Sequence, residues 1–169
     1  MIRVGTGFDL HRLVAGRPLF LGGVKIEHHL GLEGHSDADV LIHALIDAML
    51  GAAALRDIGY HFPPGDRRYL NISSLKLLEE TAAIVKEKGY QLVNADLTVI
   101  AEQPKLAPYI EAMREKLAAT LGLSPDRVSV KATTSEGVGT CGRQEAICAQ
   151  AAVLIENISA PGLPGPEAL

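Results

Sequence analysis

Segments with the alternating apolar pattern of a β-strand are interleaved along this chain with longer segments of helical periodicity, and this order constrains the fold most strongly. The strand-like stretches are residues 2–8, a pair of short strands within 18–26, 92–101 and 127–133. The helix-like stretches are residues 40 to about 55, capped by residues 36–39, then 71–88 and 108–121. Such interleaving predicts an α/β or α+β sandwich in which helices pack on a sheet.

The segment of residues 144–157 stays ambiguous on pattern alone. Its alanines favour a helix, whereas Ile147, Val153 and Ile155 suit a buried strand. The proline- and glycine-rich stretch that follows cannot continue a helix or a central strand. We therefore expect a single domain over residues 1–157 and a flexible tail over residues 158–169.

The charge balance argues against a nucleic-acid partner. The 169 residues include 16 lysines and arginines against 20 aspartates and glutamates, a formal net charge of −4. A broad basic surface is therefore excluded, although a local phosphate site is not. Aromatic residues make up 4% of the chain and tryptophan is absent, so we expect no base-stacking platform.

The sequence also predicts no membrane partner and a cytoplasmic location. No apolar run approaches the roughly 20 residues that span a bilayer. A strand pattern begins at once after Met1, which leaves no room for a signal peptide. Cys141 and Cys148 match neither a disulfide framework nor a CxxC metal pair, and we expect them to pack in the interior of a protein from a reducing compartment.

Asp9 and His11 form the first candidate for chemistry. They are two residues apart, so on an extended segment both side chains project to the same side. A carboxylate and an imidazole presented together make half of a divalent-metal site. The alternative is a simple Asp–His hydrogen bond at the end of a strand.

Asp39, His43 and Asp47 form the second candidate. Their spacing of four residues places them in one polar stripe on a helix that is otherwise apolar. A histidine flanked by carboxylates resembles a metal ligand with orienting partners. The alternative is a solvated face, but apolar residues fill most of the remaining circumference, and a polar stripe on a buried helix needs partners such as a metal.

Two further motifs suit phosphate. Thr133, Thr134 and Ser135 follow a strand and lead into glycine-rich backbone, where hydroxyl and N–H groups can bind phosphate oxygens. Glu136 adds an oxygen ligand of the kind that Mg²⁺ or Mn²⁺ uses together with a substrate phosphate. Lys105 lies after a proline turn and could meet a phosphate, although a lone surface lysine usually does not.

In order along nearly the whole chain, these motifs resemble the 2-C-methyl-D-erythritol 2,4-cyclodiphosphate synthase family of the non-mevalonate isoprenoid pathway. The motifs that carry the resemblance are Gly5-x-Gly7-x-Asp9-x-His11, His35-Ser36-Asp37-x-Asp39 with His43, residues 50–55, Asp57-Ile58-Gly59 with Phe62-Pro63, Pro104-Lys105, Lys131-Ala132-Thr133-Thr134-x-Glu136, and Gly142-Arg143.

The resemblance implies two metal sites. Residues that match Asp9, His11 and His43 hold a zinc ion whose fourth position is open to a substrate phosphate, as expected of a catalytic zinc. The residue that matches Glu136 binds a second ion, Mg²⁺ or Mn²⁺, on the diphosphate, and the one that matches Thr134 contacts phosphate.

The resemblance also implies the substrate contacts and the assembly. The cytidine pocket comes from positions that match Ala101, Lys105, Leu106, Ala107, Ala132 and Thr133 of a neighbouring subunit. The methylerythritol phosphate is met near Asp57, Gly59 and Phe62 and by a loop around His35 and Ser36. The family is a homotrimer with its active sites between subunits. Each chain has a four-stranded mixed sheet with helices on one face, and the sheets face the threefold axis, so residues 144–155 become a strand.

Several positions depart from the family pattern. Arg56 stands where glycine is common, and Pro64 replaces an acidic residue that often contacts the substrate. Residues that match Arg143 and Glu145 can line an axial cavity for an isoprenoid diphosphate. Ala146 replaces a glycine beside them, so the resemblance does not decide whether this chain binds an isoprenoid diphosphate there.

The implied reaction converts 4-diphosphocytidyl-2-C-methyl-D-erythritol 2-phosphate into the 2,4-cyclodiphosphate and CMP. One alternative is a zinc-dependent phosphoester hydrolase, which would use the same three ligands and give an open-chain product. Another is a non-catalytic binding trimer in which the metal only stabilises the fold. That structural site would need a fourth protein ligand, for which these motifs offer no obvious candidate.

Overall fold

The structure is a computed structural model that describes residues 1–158, so the predicted tail lies outside the described residues except for Ile158. The strands are β1 (Ile2–Ala15), β2 (Leu19–Leu21), β3 (Val24–Ile26), β4 (Leu30–Leu32), β5 (Tyr90–Ile100), β6 (Val128–Thr133) and β7 (Ala146–Asn157). The helices are α1 (Val40–Ala52), α2 (Ile58–His61), α3 (Ser74–Glu87), α4 (Ile110–Leu121) and α5 (Gly139–Gly142), with 3₁₀ turns at Arg67–Tyr69, Ala107–Tyr109 and Pro125–Arg127.

The main sheet is mixed, and its strand order is β4-β1-β7-β5-β6. β5 and β6 are parallel, whereas β7 is antiparallel to both β1 and β5. The ambiguous segment of the sequence is therefore the central strand. Ile147, Ala149, Ala151, Val153 and Ile155 alternate toward the buried side, so the strand interpretation is confirmed.

The expected number of four strands in this sheet is wrong, because the sheet has five. β1 continues seven residues beyond the predicted stretch, and its end pairs with β4 from Leu13↔Leu32 to Ala15↔Leu30. β4 has only three residues, which is too short for an alternating pattern to be recognised. Its Gly31 is required by crowding, since a Cβ there would lie 2.3 Å from the carbonyl oxygen of Arg17.

The long helices α1, α3 and α4 pack on one face of the sheet, as the resemblance implies. α1 lies directly on β1 and β7, and ten of its 13 residues are buried. The opposite face carries exposed apolar side chains on β1, among them Val4, Phe8 and Leu10. Within the described residues, no helix combines the length and the apolar character needed to cross a membrane.

Gly5 and Gly7 allow β1 to approach α1 closely. A Cβ on Gly5 would lie 2.0 Å from the carbonyl oxygen of Ala48, and one on Gly7 would lie 2.0 Å from that of Ala44. Both glycines share a strand face with Asp9 and His11, because side chains alternate along a strand. The direct strand-to-helix contact therefore continues toward the residues that precede Ala44, where His43 lies.

The two cysteines are free and buried, as the sequence predicts. Cys141 of α5 lies over Cys148 of β7, and their sulfur atoms are 3.0 Å apart.

Candidate metal centre and adjoining cavities

Asp9, His11 and His43, here called the triad, converge from β1 and α1. His11 Nε2 lies 2.9 Å from Asp9 Oδ2, and His43 Nδ1 lies 3.1 Å from the same oxygen. The two ring nitrogens are 3.1 Å apart. Three potential ligand atoms thus lie around one point, although the sequence separates His43 from the other two by more than 30 residues.

Each imidazole keeps one nitrogen for the triad because its other nitrogen is engaged. His11 Nδ1 lies 2.5 Å from the carbonyl oxygen of Glu33, which can only accept, so Nδ1 donates its proton there. The hydroxyl of Ser74 donates to Asp37, so its oxygen is left to accept from His43 Nε2 at 3.0 Å. The lone pairs of His11 Nε2 and His43 Nδ1 therefore face the triad.

The electrostatics of the triad favour a cation. Burial opposes ionisation of Asp9, but hydrogen bonds and charge from His11 and His43 hold the pKa of its carboxyl well below its usual range. Burial likewise opposes protonation of His11, yet the hydrogen bond and charge of Asp9 raise the pKa of that imidazole. The lowered pKa of Asp9 and the raised pKa of His11 both mean that positive charge is stabilised between these three groups.

The triad fits a divalent metal ion with an open coordination position. Two imidazole nitrogens and one carboxylate oxygen are donors that such ions prefer. Over residues 1–158, the cluster contains no fourth histidine, cysteine, aspartate or glutamate. A closed structural site would require one, whereas a catalytic site leaves that position to water or substrate.

A cavity of about 220 Å³, here called the triad cavity, adjoins these ligands. His35 and Ser36 contribute polar groups to its lining, and Ile58 and Gly59 line it as well. The remaining wall is largely apolar, with Phe62, Pro64, Tyr69 and Leu77. The expected substrate contacts His35, Ser36, Gly59 and Phe62 are thus gathered beside the triad.

A second cavity of about 250 Å³, here called the edge cavity, lies where the parallel strands β5 and β6 end. Its lining contains every residue that the resemblance assigns to cytidine: Ala101, Lys105, Leu106, Ala107, Ala132 and Thr133. Thr134 lines it as well. The edge cavity shares no lining residue with the triad cavity.

Thr134 and Glu136 lie on the exposed loop that follows β6. Thr134 Oγ1 donates to Glu136 Oε1 at 2.7 Å, so the two candidate phosphate and metal groups touch each other. A hydroxyl next to a carboxylate suits a cation-bound phosphate.

Comparison with known proteins identifies the family of this chain. The model of the YgbB family matches residues 2–156. The chain belongs to the YgbB family. A relative from Moorella thermoacetica, named 2-C-methyl-D-erythritol 2,4-cyclodiphosphate synthase, is 59% identical over 154 residues, which cover 91% of this chain and 94% of the relative.

Solved structures of related enzymes share the fold. The bifunctional IspDF from Campylobacter jejuni is 43% identical with a TM-score of 0.90, and the match covers 93% of this chain and 42% of that protein. A 2C-methyl-D-erythritol-2,4-cyclodiphosphate synthase solved in its form with CDP bound is 38% identical with a TM-score of 0.84, covering 91% of this chain and all of that one. The mixed sheet with helices is thus the architecture of these enzymes.

Asp39 and Asp47 of this YgbB chain do not orient His43, although their spacing of four residues suggested that they would. Asp39 is fully buried and begins α1, accepting from the backbone N–H groups of Gly22, Gly23 and Ile42. Asp47 accepts from the N–H of Ile58 at 2.7 Å. Helical spacing correctly placed these residues near one face, but their carboxylates bind backbone instead of the imidazole.

Two predicted substrate residues lie outside both cavity linings. Asp57 begins α2, and its Oδ1 accepts from the N–H of Tyr60 at 3.0 Å. Arg143 is exposed after α5 and forms an ion pair with Glu145, with Nε to Oε1 at 2.9 Å. Neither arrangement brings the side chain to the triad within this chain.

The groups that do orient the triad in this YgbB chain are not recognisable in its sequence. Ser74 is fully buried at the first turn of α3, and Asp37 holds its hydroxyl and its N–H. This polar pair was hidden because Ser74 lies 37 residues from Asp37 in the sequence and looks like an ordinary residue at a helix start. The Glu33 carbonyl carries no sequence signal at all.

Proposed function

We propose that this chain converts 4-diphosphocytidyl-2-C-methyl-D-erythritol 2-phosphate into 2-C-methyl-D-erythritol 2,4-cyclodiphosphate and CMP. The observation that carries the proposal is the convergence of Asp9, His11 and His43 on one point beside a cavity. Relatives that bear the synthase name over nearly their whole length support it.

The reaction needs charge control more than proton transfer. An oxygen of the 2-phosphate attacks the β-phosphorus, a P–O bond forms, and the P–O bond to CMP breaks. The attacking phosphate is already anionic near neutral pH, so no protein base is needed. The enzyme must overcome repulsion between anions and the entropy of ring closure, and good orientation can contribute roughly 7–11 kcal/mol.

The triad would hold zinc, which supplies Lewis-acid stabilisation of phosphate charge when bound. Glu33 and Ser74 fix the two imidazoles, so the three ligands need little rearrangement to receive the ion. Glu136 would hold Mg²⁺ or Mn²⁺ on the diphosphate, and the hydroxyl of Thr134 would donate to a phosphate oxygen.

The substrate is proposed to be clamped at both ends. Lys105 and the backbone around Ala132 and Thr133 would bind the cytidine phosphate end in the edge cavity. His35, Ser36, Gly59 and Phe62 would enclose the methylerythritol phosphate in the triad cavity, with Asp57 fixing the turn that carries Gly59. Pro64 makes that wall apolar at the position where an acidic contact is common.

We also propose a homotrimer in which residues 1–157 act as one domain and each active site lies between two chains. The separate linings of the two cavities support this arrangement, and so do the exposed Val4, Phe8 and Leu10 on the open sheet face. In that trimer, Arg143 would supply positive charge for an isoprenoid diphosphate on the axis. The enzyme would work in the cytoplasm.

The reaction is tested by ³¹P NMR with the cytidyl substrate. The proposed function gives a cyclic diphosphate and CMP in equal amounts. Open-chain phosphates would instead show a zinc-dependent hydrolase, and no turnover with retained metal would favour the binding trimer.

The shared active site is tested by mixing subunits. Trimers that contain only His43→Ala chains, or only Glu136→Gln chains, should have little activity. Mixed trimers should recover part of it, because some sites then combine an intact triad with an intact Glu136. No recovery in trimers verified to be mixed would contradict sites shared between chains.

A further inference from the structure

The loop of residues 134–137 has a conformation that its own residues do not favour. Glu136 has a φ of 54° and Gly137 a φ of 73°, so two consecutive residues are left-handed. Glycine adopts this region readily, but a glutamate does not, because its Cβ crowds the following carbonyl. The Glu136 conformation therefore needs support from outside the loop.

That support comes from the side chain of Glu102, which lies two residues beyond the end of β5. A single oxygen, Oε1, accepts from the N–H of Ser135 at 2.9 Å, the hydroxyl of Ser135 at 3.0 Å and the N–H of Gly137 at 3.1 Å. These hydrogen bonds bracket Glu136 on both sides. Among the described residues, the only other side chain from outside the loop that hydrogen-bonds to it is that of the adjacent Thr133, whose hydroxyl donates to the carbonyl of Thr134 at 3.2 Å.

The position of Glu102 connects the loop to the edge cavity. β5 and β6 are parallel, so Glu102 and the loop leave the same end of the sheet, and the N–H of Ala101 donates to the carbonyl of Thr133 at 3.0 Å. Glu102 itself lines the edge cavity with Lys105 and Thr134. One carboxylate thus fixes the loop from the wall of the cavity that the loop borders.

The ionised form of Glu102 is the one that this arrangement favours. The hydrogen bond from the N–H of Gly137 is the largest influence, and with the bonds from Ser135 it lowers the pKa of the Glu102 carboxyl against the opposing effect of burial. A charged acceptor makes stronger hydrogen bonds than a neutral one.

We propose that Glu102 is a positioning residue that holds Ser135 and Gly137 so that Glu136 and Thr134 face the phosphates of the bound substrate. This inference rests on the proposed function, in which those two residues act on the diphosphate. Glu102 acts through them and does not itself touch the reacting atoms.

The test compares Glu102→Ala and Glu102→Gln with wild type and with Glu79→Ala, which removes an exposed carboxylate from α3. The first measurement is amide hydrogen exchange of Ser135 and Gly137 in the full-length protein. Glu102→Ala should lose protection at both amides. Glu102→Gln should retain most of it, because an amide carbonyl can accept the same three hydrogen bonds.

The second measurement is steady-state turnover at several Mg²⁺ concentrations. Glu102→Ala should lower kcat by about 10- to 100-fold, since a misplacement of about 1 Å can cost that much. KM for the substrate should change less than kcat, the Mg²⁺ requirement should rise, and zinc content should stay unchanged. Glu102→Gln should stay within about threefold of wild type because it loses only the charge assistance.

Several results would overturn the inference. They are unchanged protection in Glu102→Ala, an equal loss in Glu102→Gln and Glu102→Ala, or a change in KM alone. If Glu102→Ala does not fold, Ser135→Ala removes only the hydroxyl bond and should give a smaller kcat loss of the same kind. The exchange data stand apart from catalysis, so failure of the proposed function would be recognised separately, by absence of the cyclic product from wild type.

Discussion

The triad cavity and the edge cavity hold their functional groups by different means. The triad side chains are 12% to 27% exposed and lie between a strand and a helix that touch backbone to backbone. Thr133 is exposed at the end of the edge strand β6, and Thr134 and Glu136 are exposed on the loop that follows it. The first site is fixed by packing, whereas the second depends on a few hydrogen bonds to one carboxylate.

This difference indicates a division of labour. A site packed into the core can present its ligands with little rearrangement, which suits a metal that must be retained. A loop at a sheet edge can adapt to a substrate and to a neighbouring chain, but little free energy is needed to change its conformation. Substitutions near the triad should therefore affect metal and stability together, whereas those near the edge cavity should affect kinetics alone.

The largest effect is expected from His43→Ala. Loss of one of three ligands should remove zinc and lower kcat/KM by about 1,000-fold or more, because metal-ion catalysis supplies several kcal/mol. Metal analysis and the ³¹P NMR assay measure the two losses, and sedimentation should still show the trimer. The control is His29→Ala, which removes an exposed histidine that is not part of the triad. Normal turnover in zinc-free His43→Ala would refute the ligand assignment.

The next effect tests the packing itself. Gly7→Ala would force a Cβ to within 2.0 Å of the Ala44 carbonyl oxygen and should lower the free energy of unfolding by roughly 3 kcal/mol. A Cβ added at Gly139 would meet no atom within 4 Å, and this residue has a φ of 73°. Gly139→Ala should therefore lower the free energy of unfolding by only about 1 kcal/mol. Urea unfolding at equal protein concentration measures both. Equal costs would mean that the close approach of β1 to α1 adds nothing to the cost of a Cβ at Gly7.

Glu136→Gln should have the third largest effect. Replacing the charged ligand with an amide should reduce kcat by roughly 30-fold at low Mg²⁺, since charged contacts contribute about 2 kcal/mol. High Mg²⁺ should restore part of the loss, while zinc content and stability stay at wild-type values. Loss of zinc in this variant would mean that the two cavities are not independent.

The smallest effect is expected from Lys105→Ala. An exposed lysine that meets a phosphate should contribute about 1 kcal/mol, so KM should rise about fivefold while kcat changes less. Lys76→Ala, an exposed lysine of α3, is the matched control. An unchanged KM in Lys105→Ala would mean that Lys105 does not bind the substrate in the edge cavity.

The two regions also differ in how far the sequence could predict them. The spacing of Asp9 and His11 on a strand and the apolar helix around His43 both pointed to a metal site, because each pattern has one geometric meaning. The short β4 and the roles of Ser74, Asp37 and Glu102 could not be found this way. Their contacts join residues 15 to 37 positions apart, and distances in sequence of that kind carry no local pattern.

The role of β7 needed more than periodicity. Residues 144–157 are rich in alanine and fit a helix as well as a strand, and only the family resemblance favoured the strand. The structure supplies the reason, because small residues on a central strand let α1 pack closely over it. Local propensity was overridden by tertiary packing.

The coordination of zinc in the purified protein tests the central claim most directly. X-ray absorption at the zinc edge, together with the metal content per chain, reports which atoms surround the ion. The account predicts about one zinc per chain with nitrogen and oxygen neighbours that include two imidazoles. Protein as purified that holds no zinc, or zinc bound to sulfur, would contradict it.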